Sequence, residues 1–203
     1  YDVVLIAPHY GWLAIKDYGY TPLLVHQAPI SGILVTSRQN PIKNANALRN
    51  GSIAIVDRSA LLAILGAISL ADEGLVENRD YHFVETVSHS SALHNAVSGK
   101  ARAALVNATS LLLAPPAIRD NAVVWRELAS IPGQFYIAHK RLSDGEQKAI
   151  KEALLVFEHS PAGVEFFTST KQGGYRLPNA ADRKLLDRAL PETRRLLQGA
   201  LSR

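Results

Sequence analysis

Cysteine and methionine are both absent from this chain of 203 residues. Without cysteine the protein can form no disulfide framework, no thiolate metal site and no thiol nucleophile. The absence of methionine even at position 1 indicates a fragment, a processed chain or a sequence from which modified methionines were omitted. The longest apolar run, residues 60–70, contains Gly66 and Ser69 and falls short of the ~18 residues of a membrane span. It is therefore predicted to form a buried helix.

The overall composition is that of an ordinary globular protein, with 47% hydrophobic and 20% charged residues. The formal net charge of +4 is unevenly distributed, because residues 171–203 hold eight Lys/Arg and three Asp/Glu. A basic C-terminal stretch would suit contact with nucleic acid or an anionic membrane. Leucine and alanine at helical spacing in the same stretch favour the solvated side of amphipathic helices instead. We therefore expect no nucleic-acid partner.

Short apolar runs alternate with helical patterns from the first residues onward. Val3–Ile6 and residues 52–56 are continuous apolar runs, which are typical of strands buried on both faces. Repeated strand–helix units predict an α/β fold, with mostly parallel sheets flanked by helices. No flexible linker or internal repeat interrupts the pattern, so a change from one lobe to another has to pass through ordinary strands.

Polar and aromatic residues follow four of the predicted strands. In parallel α/β sheets, ligands bind beyond the carboxyl ends of the strands, where helix N-termini present free N–H groups. Hydroxyl, imidazole and amide groups that recur there predict a donor-rich pocket, suited to phosphate, phosphonate, sulfonate or carboxylate. The candidate ligand-binding residues are His9, Tyr10, Trp12, Asp57, Arg58, Ser59, Ser88, His89 and Asn107.

Each candidate also has a purely structural interpretation. Ser59 and Ser91 are placed where helix N-caps are expected, Ser59 before the long apolar helix. Tyr10 and Trp12 would serve equally well as core residues, and His89 could bond backbone at a turn. Only the recurrence of such residues at equivalent strand ends favours a binding site.

Several segments resemble the phosphonate/phosphate-type periplasmic substrate-binding proteins of ABC transporters. DVVLIAPHY at residues 2–10 and GYTPL at residues 19–23 match the beginning of the family pattern. Residues 33–57 match the strand, turn and further strand that come next in the family pattern. SHSSAL at residues 88–93, followed by AVSGKARAALV at residues 96–106, matches its histidine-containing segment. The resemblance extends over nearly the whole chain, although its motifs are loose.

The resemblance implies a two-lobed type II periplasmic binding fold, truncated at its N-terminus, and a receptor rather than an enzyme. In this family the ligand lies between the lobes, at positions that correspond here to Tyr10 with His9, Ser59, His89 and Asn107. The implied partners are a small anionic ligand and an ABC permease. The implied location is periplasmic or extracellular, free or membrane-anchored in the full-length protein. We expect no catalytic residue, metal or cofactor.

The sequence departs from the family pattern near the proposed ligand. Residues 57–60 carry fewer serines than the family's helix start, and Arg102 stands where an acidic residue is common. Asn107 replaces another frequent acid. Because a lost carboxylate weakens recognition of an aminoalkyl group, the ligand class stays open among the oxyanions.

The domain prediction places residues 1–36 and 130–203 in lobe one and residues 37–129 in lobe two. Lobe one would contain too few strands for an α/β lobe. A strand–helix segment is therefore expected to precede Tyr1.

Three alternatives remain beside the transport receptor. The same fold could serve as the extracellular sensor domain of a membrane signalling protein. It could belong to an enzyme, with His89 the one candidate for a reactive group, although no nucleophile elbow, phosphate loop or metalloprotease motif occurs. A metal site using His89 and His94 is disfavoured, because the nearest carboxylate, Glu85, lies back on the preceding strand.

Overall fold

The computed structural model describes residues 1–128 and 130–201 and divides into two compact units. Unit 1 comprises Tyr1–Pro29 and Ile131–Arg203, and unit 2 comprises Ile30–Ser130. The elements in chain order are β1 (Val3–Ile6), α1 (Pro8–Asp17), β2 (Tyr20–His26), β3 (Gly32–Ser37), a 3₁₀ turn (Ala45–Leu48), β4 (Gly51–Ile55), α2 (Leu61–Ala71), β5 (Tyr81–Glu85), α3 (His89–Val97), β6 (Ala103–Asn107), α4 (Ala108–Leu112), α5 (Pro116–Arg119), β7 (Ala122–Glu127), β8 (Phe135–His139), α6 (Asp144–His159), α7 (Pro161–Thr170), β9 (Tyr175–Arg176) and α8 (Ala180–Leu201). Both units combine a sheet with helices, which confirms the predicted α/β class.

The sheet of unit 1 has the strand order β1-β8-β2-β9, and every pairing in it is antiparallel. The prediction of a mostly parallel sheet is therefore wrong for this unit. The strands β1 and β2 belong to one strand–helix–strand unit, but β8 lies between them. Because β8 carries the chain back from unit 2, it runs opposite to both neighbours. Phe135 and Ile137 on this central strand are almost completely buried.

The sheet of unit 2 has the order β5-β4-β6-β3-β7. The three strands β5, β4 and β6 are parallel, as helical crossovers require. In contrast, β3 pairs antiparallel with both β6 and β7, so the sheet is mixed rather than mostly parallel. The order of the strands in the sequence explains this arrangement. Strand β3 comes before the strand–helix–strand units that build the parallel part of the sheet, and β7 comes after them.

The position of β3 differs from the predicted domain division, which assigned residues 1–36 to lobe one. Ile33 lies opposite Val106 and Leu34 opposite Leu105 in the sheet of unit 2. Residues 30–36 therefore belong to unit 2. An isolated apolar run carries no information about which sheet it joins, because its partners on β6 are 69 to 75 residues away in the sequence.

Helices cover the sheet of unit 2 on both faces. One apolar cluster includes Leu34, Ile53, Ile55 and Leu70, and the other includes Ile33, Val35, Leu93 and Val106. The predicted buried helix over residues 60–70 is confirmed as α2, whose residues are largely buried. Among residues 1–128 and 130–201, no helix is long and apolar enough to cross a membrane.

Candidate ligand-binding site

The parallel strands of unit 2 bring several predicted residues to one edge of the sheet. The strands β4, β5 and β6 run in the same direction, so their carboxyl ends meet at that edge. The residues at these ends are 56–60 after β4, 86–89 after β5 and Asn107 at the end of β6. Unit 2 therefore gathers Asp57, Arg58, Ser59, Ser88, His89 and Asn107 along what we call the carboxyl edge.

The turn between β5 and α3 is held by hydroxyl groups. The N-cap of α3 is Ser88, whose Oγ accepts a hydrogen bond of 3.1 Å from the backbone N–H of Ser91. The predicted cap, Ser91, instead lies in the first turn, and its Oγ is 3.1 Å from that of Ser88. Thr86 links the turn to β4 by a hydrogen bond, in which its Oγ1 donates to the backbone carbonyl of Ile55 at 2.8 Å. These bonds fix the direction in which α3 begins.

His89 is the first residue of α3. Its Nδ1 atom is buried and has no hydrogen-bond partner among the described residues. Burial lowers the pKa of the His89 imidazole, because the charged form would lose hydration that no neighbour replaces. The ring is therefore neutral near pH 7, with one nitrogen that donates and one that accepts.

Asn107 is both the last residue of β6 and the N-cap of α4. Its Oδ1 accepts from the backbone N–H of Ser110 at 2.7 Å and from the Ser110 hydroxyl at 2.6 Å. These two bonds orient the carboxamide and leave the Nδ2 amino group without a partner among the described residues. A carboxamide has two N–H donors on that nitrogen, and both are available at the carboxyl edge.

The turn after β4 differs from the sequence-based expectation. Ser59 does not cap α2, since the N-cap is Ala60 and no side chain bonds the free N–H groups there. The Ser59 hydroxyl donates to Asp57 Oδ1 at 2.8 Å, and the Ser59 N–H donates to the same oxygen at 2.7 Å. Its hydroxyl proton is thus already used within the turn.

Arg58 makes a local ion pair. Its Nη2 lies 2.7 Å from Glu77 Oε2, and both side chains are mostly buried. The guanidinium also lies over the ring of Phe83, at 5.4 Å from the centroid. The Arg58 backbone N–H donates to Glu85 Oε1 at 2.7 Å. The charge of Arg58 is therefore neutralised by a carboxylate of the same unit.

The electrostatic character of the carboxyl edge follows from these contacts. Asp57 and Glu85 contribute negative charge, and the positive charge of Arg58 is paired with Glu77. The remaining donors, the Asn107 amide and the His89 ring, are neutral. Such an edge can hold a small polar molecule through directed hydrogen bonds.

The other three predicted residues lie together on α1 of unit 1. His9 is buried, and its ring centroid is 4.1 Å from that of Tyr10. Trp12 is buried, and its indole N–H donates to Asp187 on α8 at 2.8 Å. This bond, together with that from Lys16, lowers the pKa of the Asp187 carboxyl. The contacts of Trp12 are those of a packing residue, and a role in ligand binding stays a prediction for all three.

Sequence reasoning missed the residues that support the site. Thr86 and Ser110 orient the predicted donors, and Glu77 and Glu85 hold Arg58. Thr86 could have been found, since it lies within the polar segment after β5. Glu77 could not, because it lies in an unpatterned loop 19 residues from its partner. Among the residues that the structure describes, no group of His, Asp and Glu is placed to hold a metal ion.

Comparison with known families gives a match over most of the chain. The sequence model described as "ABC transporter, phosphonate, periplasmic substrate-binding protein" matches residues 1–182. A comparison with curated proteins finds no significant match.

Solved structures share the fold at low sequence identity. XAC2383 from Xanthomonas citri bound to ATP has a TM-score of 0.81 at 13% identity, over 97% of this chain and 79% of that one. PhnD1 from Prochlorococcus marinus in complex with methylphosphonate has a TM-score of 0.70 at 15% identity, over 97% and 78%. The aliphatic sulphonate binding protein SsuA from Escherichia coli has a TM-score of 0.56 at 15% identity, over 94% and 61%.

These matches confirm the predicted receptor role, since the family and its structural neighbours are substrate-binding transport proteins and not enzymes. They also confirm the predicted periplasmic setting and imply a small-molecule ligand and an ABC permease as partners. The chain belongs to the family of periplasmic substrate-binding proteins of phosphonate ABC transporters.

Proposed function

We propose that this receptor binds a small organic oxyanion, a phosphonate or a chemically similar sulfonate, and that the carboxyl edge of unit 2 supplies its hydrogen-bond donors. The observation that carries the proposal is the free amino group of Asn107. Its carbonyl oxygen is fixed by two bonds from Ser110, so the two remaining N–H donors are held in a defined direction. Preorganised neutral donors of this kind bind an oxyanion without a counter-charge.

The state of His89 supports the same ligand class. Its buried Nδ1 has no partner among the described residues, and burial keeps the ring neutral. An unsatisfied buried nitrogen costs free energy unless a ligand group completes its hydrogen bond. A phosphonate that carries one proton offers both an acceptor oxygen and a donor hydroxyl, so it can bond either tautomer of the ring.

Two of the related structures fit this class, because PhnD1 was solved with methylphosphonate and SsuA is an aliphatic sulphonate binding protein. XAC2383 was instead solved with ATP, which is a polyphosphate. Phosphonate, sulfonate and phosphate groups share a tetrahedral arrangement of oxygens with a delocalised negative charge. The carboxylates Asp57 and Glu85 would repel a highly charged anion, which favours a monoanionic or dianionic head group over a polyphosphate.

A thermal-shift comparison tests the ligand class. The protein is heated with methylphosphonate, ethanesulfonate, inorganic phosphate or acetate, each at matched ionic strength. A ligand at about one hundred times its Kd stabilises the folded state by about 2.7 kcal/mol, which is a readable increase in Tm. We expect the increase with methylphosphonate or ethanesulfonate and its loss in His89→Ala. An increase that persists unchanged in His89→Ala would place the solute elsewhere.

The sensor alternative concerns the partner rather than the ligand. A sensor domain and a transport receptor would bind the same solute, and no described residue distinguishes the two roles. Stimulation of permease ATPase activity in proteoliposomes by the loaded receptor is the expected result for transport. Absence of stimulation by a receptor that demonstrably binds its solute would favour the sensor.

A further inference from the structure

Positive charge is concentrated in the two sequence segments that build the amino ends of β4 and β6. Residues 31–56 contain three Lys/Arg and no Asp/Glu, and residues 88–119 likewise contain three and none. Since the three parallel strands start at the same edge of the sheet, this charge collects at the end opposite to the carboxyl edge.

A concavity of about 310 Å³ opens at the amino ends of these strands, entirely within unit 2. We call it the basic concavity. Its polar lining residues include Asn40, Asn50, Ser52, His82, Lys100 and Arg102. No carboxylate is among its lining residues. With Ser37, two cations, a histidine and four neutral hydrogen-bonding side chains therefore surround one cavity.

Arg102 is held in this position by the backbone. Its Nε donates to the carbonyl of Ala47 at 3.1 Å, and its Nη1 donates to the carbonyl of Asn40 at 2.7 Å. Gly51 permits this approach, because a Cβ there would come within 3.0 Å of the Arg102 Cβ. The guanidinium is thus preorganised, and it forms no ion pair within the described part of the chain.

The carboxylate of Asp80, which lies next to the lining residue Asn50, does not compensate this charge. Asp80, whose backbone carbonyl accepts from the N–H of Asn50, forms ion pairs with Arg49 and Arg79. A hydrogen bond from the Val76 N–H and the two arginines lower the pKa of the Asp80 carboxyl. The carboxylate therefore stays ionised, and its charge is already paired with Arg49 and Arg79. The charges of Lys100 and Arg102 are therefore left without a counter-charge.

We propose that the basic concavity is a second anion site, which binds a phosphoryl group independently of the solute at the carboxyl edge. Lys100 contributes a mobile ammonium, Arg102 contributes a fixed guanidinium, and the carboxamides of Asn40 and Asn50 contribute neutral hydrogen bonds. The phosphoryl group can be free inorganic phosphate or the head group of an anionic phospholipid. Both offer the same tetrahedral oxygens to the same cations.

Titration with inorganic phosphate, followed by backbone amide resonances in NMR, tests the site. We expect saturable shifts at residues 50–52 and 99–102, which weaken as sodium chloride is added. Lys100→Glu should weaken this phosphate binding at least about tenfold, because an attractive charge becomes a repulsive one. Lys184→Glu, which makes the same charge change at an exposed position of α8, should leave it unchanged. His82→Ala should weaken it less than Lys100→Glu.

Vesicles distinguish the two sources of the phosphoryl group. Co-sedimentation with phosphatidylglycerol vesicles that is lost in Lys100→Glu but kept in Lys184→Glu would identify a lipid head group as the ligand. Phosphate binding without vesicle binding would identify the free ion. The proposal is overturned if neither probe binds at residues 50–52 and 99–102, or if Lys100→Glu and Lys184→Glu behave alike. Phosphate shifts confined to residues 86–91 and 107–110 would also overturn it, and would at the same time support the solute site.

Discussion

His26 should make the stability of unit 1 depend on pH. The side chain is only 2% exposed, and its ring is stacked on Tyr175 with centroids 5.5 Å apart. Tyr136 and Phe167 meet it edge-on at 5.7 and 6.1 Å. Its Nε2 has no partner among the described residues. Burial among these rings lowers the pKa of His26 below the ordinary value of 6.5, because the imidazolium ion would lose its hydration.

The sign of the effect follows from proton uptake by the unfolded chain. Below pH 6.5 the unfolded chain protonates His26 while the folded protein does not, so acid favours unfolding. The loss in the free energy of unfolding has an upper limit, which is reached when the folded ring stays fully neutral. At about one pH unit below 6.5 this limit is about 1.4 kcal/mol. The stability is therefore fully present above pH 6.5 and declines as the pH falls below it.

Urea unfolding in a Trp125→Phe background measures this effect, because fluorescence then reports unit 1 through Trp12. The free energy of unfolding should decrease more between neutral and mildly acidic buffer in the parent than in His26→Phe, by at most about 1.4 kcal/mol. His159→Gln, which removes an exposed histidine, should keep the dependence of the parent. An equal acid sensitivity of the parent and His26→Phe would refute the reasoning.

Two further substitutions test the packing. Gly133→Ala should destabilise unit 1 by about 2 kcal/mol, because a Cβ there would lie 2.6 Å from the carbonyl oxygen of His26. The control Gly145→Ala, with no neighbour closer than 4.0 Å, should be neutral or slightly stabilising in the same urea titration. Thr86→Val removes the hydroxyl bonds to the backbone carbonyls of Ile55 and Ser88. This substitution should lower the free energy of unfolding by about 1 kcal/mol and weaken methylphosphonate binding in calorimetry. An unchanged affinity would contradict the supporting role of Thr86.

Local sequence signals predicted the elements well where one segment contains the whole pattern. Ser143 and Glu146, three residues apart, form a reciprocal capping box at the start of α6, which is a motif contained in one short segment. The apolar run at residues 60–70 forms a buried helix. The polar segments after β4, β5 and β6 meet at one edge because parallel strands end together.

Features that depend on distant partners could not be predicted in this way. The antiparallel course of β3 and β8 follows from which strand lies beside them, and alternation of strands and helices does not encode this neighbour. The bond from Trp12 to Asp187 joins residues 175 positions apart. Ser59 was expected to cap α2, but the carboxylate of Asp57, two residues before it, competes for its hydroxyl.

The central claim is that the carboxyl edge of unit 2 binds an oxyanion through the amide of Asn107. Calorimetric titration of methylphosphonate and of ethanesulfonate into Asn107→Asp tests it most directly. This substitution keeps an oxygen for Ser110 but replaces the free N–H donors with a negative charge. We predict that the affinity falls about a hundredfold, or about 2.7 kcal/mol, while Asn44→Asp at an exposed position binds like the parent. Equal affinity of Asn107→Asp and the parent for a ligand that binds would contradict the account.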